Sequence, residues 1–172
     1  MKTLRLLFLS LAVVATLHAK YVPTPEMTMG FAMNMDPQKW MPKFMDGDKT
    51  GIILEFVPEG QKIDSWKEMV AQQIAFTKVS LRKHVDDWKA MLLRADPKIE
   101  IKEEQKEDGS ILVTYTSLAA QEMSMRRFIK AKDGVYMIAY HVRPALKDEA
   151  RVKIWLEIIT AANLVPNPQK KK

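Results

Sequence analysis

Two Asp-Gly pairs constrain the fold of this chain more than any other feature of its sequence. Asp108-Gly109 separates the run KIEIKEEQ from the run SILVTYTS, and Asp133-Gly134 separates QEMSMRRFIKAK from VYMIAYHV. Apolar residues in these runs recur with the period of two that is typical of strands, and Asp-Gly is a strong signal for a tight hairpin turn. The sequence therefore predicts four consecutive antiparallel strands in its second half.

The other predicted elements place this meander in an α+β protein. Strands are expected over 27–35 and over 50–57, with a loop over 36–49 between them, where prolines, Gly47 and aspartates cluster. Ser65 and Glu68 have the spacing of a capping box, so we expect a helix over 65–95 with a break near 77–80. A second amphipathic helix is predicted over 147–163. The expected architecture is an antiparallel β-sheet flanked by helices in the order ββαββββα.

The chain ends differ from the body in composition. Residues 1–19 begin with Lys2 and Arg5, continue through an apolar run and end at Ala19, which is the order of a secretory signal peptide. We expect residues 20–26 to be an extension, residues 27–163 a single domain and residues 164–172 a flexible basic tail. The net charge of +6 arises mostly from the two ends, so a nucleic-acid partner is not expected. The predicted location is the periplasm or the extracellular space, without a stable membrane anchor after cleavage.

Methionine is abundant and cysteine is absent, with 12 and 0 residues. The missing cysteines exclude a disulfide scaffold, a cysteine zinc site and a thiol enzyme. Thioethers are soft ligands that suit Cu(I), and the predicted first strand presents Met27, Met29, Met33 and Met35 on one face. Those four residues are the candidate metal ligands. One alternative is that they fill the core, because methionine packs well in irregular apolar space, and another is that they form a soft, adaptable protein-binding surface. No other cofactor is expected.

Candidate partner-binding residues are Trp40, in the predicted loop, and Arg126, Lys130 and Lys132, which share one face of a basic strand. The sequence shows no catalytic motif. His141 could form a Ser–His arrangement with Ser117 or Ser124, but no GxSxG context supports it. We expect instead that His141 lies at a strand end and bonds to backbone. Glu103 and Glu104 alternate with lysines, as in a charged edge strand.

The element order resembles that of the PsbP-like fold and of the DcrB-like bacterial envelope proteins. The resemblance extends over residues 27–163 and rests on an EFVP strand at 55–58, an SW pair at 65–66, the Asp-Gly hairpins and the closing helix. It implies a non-enzymatic binding or assembly role in the envelope. Unlike the lipoprotein members, this chain has no lipid-bearing cysteine, so it is expected to be free of the membrane.

These observations favour an exported, monomeric, non-catalytic protein that acts by contact with another envelope or extracellular protein. A periplasmic Cu(I)-binding protein that uses the N-terminal methionines is the first alternative. An exported hydrolase is the second.

Overall fold

The computed structural model describes residues 29–32, 38–144 and 148–166. These residues form an α+β fold that is dominated by strands. In chain order the elements are β1 (Met29–Ala32), β2 (Trp40–Asp48), β3 (Gly51–Pro58), a 3₁₀ helix (Ile63–Ser65), β4 (Glu68–Ala75), α1 (Leu81–Ala95), β5 (Glu100–Gln105), β6 (Ile111–Ser117), β7 (Glu122–Lys130), β8 (Val135–Val142), α2 (Glu149–Ala161) and β9 (Asn163–Pro166).

Seven strands form one antiparallel sheet in the order β2-β3-β4-β8-β7-β6-β5. Strands β1 and β9 pair with each other in a separate two-stranded ribbon. Val85 of α1 packs with Val135, Met137 and Ala139 of β8. Trp155 and Ile159 of α2 pack with the alternate residues of β8 on the opposite face. The two helices therefore lie on opposite faces of the sheet, and the ribbon shares the face of α2 through Phe31 and Leu164.

Both predicted Asp-Gly hairpins are confirmed. Gly109 has φ +80°, a value that glycine adopts without steric cost. Gly134 is needed for a different reason, because a Cβ atom there would lie 2.2 Å from the carbonyl oxygen of Ala75 on β4. The second hairpin thus closes directly against the end of a strand from the first half of the chain.

The predicted helix over 65–95 is wrong in its first half. Residues 68–75 form β4, which lies between β3 and β8 in the interior of the sheet, and the helix begins only at Leu81. A strand that is covered on both faces has apolar residues on both, so it lacks the alternation that identifies a strand. Val70 and Ile74 of β4 are also four residues apart, which is the spacing of the apolar stripe of a helix. The break near 77–80 is correctly placed, since Ser80 caps α1 by accepting a hydrogen bond from the backbone N–H of Lys83.

The predicted loop over 36–49 is also wrong, because residues 40–48 form the edge strand β2. Its pairing with β3 shifts register between Pro42 and Phe44, so a bulge accommodates the proline. The observed order is thus ββββαββββαβ rather than ββαββββα. Strand β9 also includes residues 164–166, where we predicted the start of a flexible tail.

Residues 1–28, which contain the predicted signal peptide, lie outside the described residues. Within the described ranges, neither α-helix is long and apolar enough to cross a membrane.

Candidate functional site

Five polar side chains lie together in the interior between the sheet and α1. Strand alternation places Glu122, Ser124 and Arg126 of β7 on the face that carries α1, beside Tyr115 of β6 and His141 of β8. Each is at most 5% exposed. We call these five residues the buried polar cluster. The sequence analysis did not find it, because we interpreted Arg126 as a surface residue and did not consider Glu122.

Hydrogen bonds join all five members. Nδ1 of His141 lies 2.8 Å from Oε1 of Glu122, and the Tyr115 hydroxyl donates to the same oxygen at 2.5 Å. Arg126 donates from Nη2 to the Tyr115 hydroxyl at 3.0 Å and from Nε to Oγ of Ser124 at 3.2 Å. A buried charge is tolerated only when it is paired and hydrogen-bonded, and this network meets that requirement for both Glu122 and Arg126.

Burial and pairing together set the protonation states of the cluster. Burial alone would raise the pKa of Glu122, but His141 and Arg126 oppose it and the net pKa is lowered. Burial lowers the pKa of His141 despite the nearby Glu122 carboxylate. The cluster at neutral pH therefore holds an ionised Glu122, a charged Arg126 and a neutral His141. Because an ionised carboxylate only accepts, His141 carries its proton on Nδ1 and donates it to Glu122.

Aromatic rings enclose this network. The Arg126 guanidinium lies 4.9 Å from the centre of the Trp88 ring of α1. Trp66 lies edge-on to His141, with ring centres 6.3 Å apart, and the Arg143 guanidinium covers Trp66 at 4.2 Å. The cluster is therefore closed to solvent in this structure.

The placement of His141 agrees with our expectation only in part. It is the last residue but one of β8, near a strand end as expected, but β8 lies inside the sheet and Nδ1 of His141 bonds to the Glu122 carboxylate. Ser124 is its direct cross-strand neighbour on β7. Ser117 bonds instead to Oδ2 of Asp96 at 2.6 Å. A histidine, a carboxylate and a serine thus meet, as a hydrolase would require, but all three are buried and Ser124 accepts its hydrogen bond from Arg126.

The predicted partner-binding residues are dispersed. Trp40 is half-buried and packs edge-on against Trp155 of α2, with ring centres 5.2 Å apart. Arg126 is buried, so it presents no charge at the surface. Lys130 is exposed but donates to the carbonyl oxygens of Thr77 and Val79, at 2.9 and 3.0 Å. Lys132 is exposed in the turn that follows β7.

Most of the predicted metal ligands cannot be placed. Met27, Met33 and Met35 lie outside the described residues, and Met29 lies on β1 opposite Pro166. In the part of the chain that the structure describes, no three His, Asp or Glu side chains are grouped to hold a metal ion. Glu103 lies on the edge strand β5, where it pairs with Arg82 at 2.6 Å and with Lys89 at 2.5 Å.

One part of the sheet surface is left uncovered by α1. Opposite residues of antiparallel strands point to the same face, so Phe44 of β2, Glu55 of β3 and Ala71 of β4 share the face of α1. The next row on that face is Asp46, Ile53 and Gln73. Ala71 packs in the core beneath α1, whereas Phe44, Asp46 and Gln73 are exposed and Ile53 and Glu55 are half-buried. We call the surface of Phe44, Asp46, Ile53, Glu55 and Gln73 the open face.

Glu55 is the unusual residue of the open face. Within the described residues, its carboxylate forms neither a hydrogen bond nor an ion pair. Burial raises its pKa, Arg126 opposes this shift and Glu122 adds to it. This carboxylate therefore occupies a partly buried position whose surroundings compensate its charge only in part.

The opposite face carries a small crevice lined by Phe31, Ile52, Leu54, Gln72, Gln73, Ile74 and Tyr136. Its volume is about 10 Å³, which is room for about one water molecule. It offers no space for an organic substrate.

The geometry therefore presents two candidate sites, the enclosed cluster and the open face. Neither family models nor curated proteins provide a precedent, since comparison with both finds no match to this chain.

Proposed function

We propose that this chain is an exported, non-catalytic protein that binds another protein of the envelope or extracellular space through the open face. The observation that carries the proposal is the contrast between the two sites. Titratable groups that could perform chemistry are enclosed and bonded to one another, whereas an exposed aromatic ring and a carboxylate whose ionised form is disfavoured by burial are cross-strand neighbours on an open surface.

Two further observations support this function. Phe44 is 42% exposed on the open face, and an exposed aromatic residue beside partly buried apolar neighbours is typical of a protein-binding surface. The resemblance to PsbP-like envelope proteins implies the same kind of role. The N-terminal sequence supports export.

The test is photocrosslinking at the open face in the organism that encodes the protein. Replacing Phe44 by p-benzoylphenylalanine keeps an aromatic side chain at the same position. Leu118 is the matched control, because it is a hydrophobic residue that is 82% exposed in the turn between β6 and β7. We expect a discrete adduct from position 44 and none from position 118. Equal labelling from both positions, or no adduct from position 44, would contradict the proposal.

A further inference from the structure

The chemistry of Glu55 specifies what the open face binds. Glu55 is the cross-strand partner of Phe44, and Cβ atoms of such partners are usually about 5 Å apart. Ile53 lies two residues away on the same face of β3. A ligand that compensates this carboxylate must therefore be cationic and must also tolerate contact with an aromatic ring and an aliphatic side chain.

A metal ion does not meet these conditions. Hard cations require several oxygen ligands, and Glu55 supplies one carboxylate with a phenyl ring beside it. The nearest acidic residue of the open face, Asp46, lies in the next row and accepts a hydrogen bond at 2.8 Å from the backbone N–H of Gly47. An organic cation with an apolar stem fits better, because its stem can cover Phe44 and Ile53 while its charged end reaches Glu55.

Arginine fits this position better than lysine. The guanidinium group is planar, weakly hydrated and able to stack on an aromatic face while it forms two hydrogen bonds to a carboxylate. The protein itself places guanidinium groups beside aromatic rings at two positions. Arg126 lies 4.9 Å from the centre of the Trp88 ring, and Arg143 lies 4.2 Å from that of Trp66. On the open face, Glu55 and Phe44 supply the acceptor and the ring of such a site, whereas Arg126, whose charge also acts on Glu55, is bonded within the buried polar cluster.

We propose that Glu55 and Phe44 form a receptor for an arginine side chain of the partner protein, an inference that rests on the proposed function. Two of the five residues of the open face, Asp46 and Glu55, are acidic, so they complement a basic residue on the partner. Without that residue, Glu55 costs the free protein stability, since its ionised form is disfavoured by burial.

Two measurements on the full mature protein test the receptor without knowledge of the partner. The first is titration with butylguanidinium, followed by methyl NMR signals of Ile53, with the neutral butylurea as control. We expect saturable shifts with butylguanidinium only, and binding at least fivefold weaker in E55Q. The matched variant E104Q removes an exposed acid on the opposite sheet edge and should bind like the wild type.

The second measurement is the thermal unfolding of E55Q. If the charge of Glu55 serves binding and is only partly compensated in the free protein, E55Q should have a higher Tm than the wild type. If the carboxylate has a structural role, E55Q should have a lower Tm. Equal binding of butylguanidinium by E55Q and wild type, shifts of equal size with butylurea, or a lowered Tm would overturn the inference.

The outcomes for the receptor and for the proposed function are separable. An adduct from position 44 whose yield is unchanged by E55Q leaves protein binding intact and removes the role of Glu55. Absence of the adduct contradicts the proposed function, whatever the result with butylguanidinium.

Discussion

At the scale of single residues, the buried polar cluster couples the stability of the fold to pH. His141 is neutral in the folded protein because burial lowers its pKa, whereas the unfolded chain titrates near its ordinary value of about 6.5. Below that pH the unfolded state binds a proton that the folded state does not. Stability therefore falls as the pH decreases from about 6.5, by up to about 1.4 kcal/mol per pH unit for one such group.

We expect His141→Asn to flatten this dependence. The asparagine amide can donate to Glu122 in place of Nδ1 but does not titrate, so the loss of stability between pH 6.5 and 5 should become smaller. Denaturant unfolding as a function of pH measures it. His84→Asn is the comparison variant, because burial also lowers the pKa of His84. This residue is only half-buried, so its replacement should flatten the profile less than H141N does. A profile for H141N as steep as that of the wild type would show that His141 is not the responsible group.

Glu122 adds a second acid-sensitive contribution at lower pH. Its pKa is lowered in the fold, so the stability that it provides is present above the unfolded value and is lost as the pH falls through the folded one. We expect Glu122→Gln to be destabilised at pH 7 by about 3 kcal/mol, because the buried Arg126 then loses the opposite charge of the Glu122 carboxylate. The exposed-edge variant E104Q should change the free energy of unfolding by less than 1 kcal/mol.

The buried polar cluster was predictable in part. Glu122, Ser124 and Arg126 alternate along β7, so period-two reasoning already places them on one face, opposite that of Arg127. What the sequence does not show is that this face lies beneath α1. Strand alternation assigns residues to faces, but only the assembled sheet decides whether a face is covered.

At the scale of elements, Arg127 joins α2 to the Asp108-Gly109 hairpin. Its Nη1 donates to the carbonyl oxygens of Thr160 and Ala162, each at 2.5 Å, and of Ile159 at 3.2 Å, at the C-terminal end of α2. Helix C-termini favour cations, because their last carbonyl groups have no partners within the helix. The same guanidinium also bonds to Asp108 and Ser110 beside the Asp-Gly turn.

We expect Arg127→Met to destabilise the protein by about 2–4 kcal/mol, because it leaves the buried carbonyl groups of α2 without donors. Arg82→Met is the matched control. Its side chain is 45% exposed and pairs with Asp86 and Glu103, so the loss should stay below about 1 kcal/mol. Urea unfolding measures both. Equal losses in the two variants would contradict the role of Arg127.

Gly134 is a second point at which one element depends on another. An alanine there would place its Cβ 2.2 Å from the carbonyl oxygen of Ala75, so G134A must displace the backbone of β4 or β8. We expect a loss of about 2–3 kcal/mol. Gly60 has φ +87° and open space around it, so G60A should cost only about 1 kcal/mol. Thermal unfolding of the two variants compares these contributions, and a smaller effect at Gly134 would contradict the steric argument.

Elements bounded by strong local signals were predicted correctly, and strands β2 and β4 were not. The Asp-Gly turns and the helix over 149–161 have local sequence signatures. Strand β4 has none, because its methionine, alanine and glutamine residues favour a helix and its extended form depends on β3 and β8. Strand β2 contains Pro42, and proline in a sequence usually indicates a loop. A strand tolerates this proline because β2 lies at the edge of the sheet and has a bulge there.

At the scale of the whole molecule, the sequence predicts export. If residues 1–19 are removed after Ala19, the mature chain begins at Lys20 and keeps 25 basic and 21 acidic residues. N-terminal sequencing of the protein recovered outside the cytoplasm should therefore begin KYVPT. Recovery of a chain that still begins at Met1, in the cytoplasmic fraction, would contradict this prediction.

The two halves of the sheet meet along one long ladder. Glu68–Ala75 pairs with Val135–Val142, so partners in this ladder are separated by most of the second half of the chain. Each side of the ladder is a meander of neighbours in sequence, and such local pairings form fast, whereas pairing over a long separation is slow. We therefore expect the meander β5–β8 to gain protection from hydrogen exchange early in refolding and β4 to gain it late. Until β8 joins it, β4 has one unpaired edge, and this interval is when the folding chain is most exposed to aggregation.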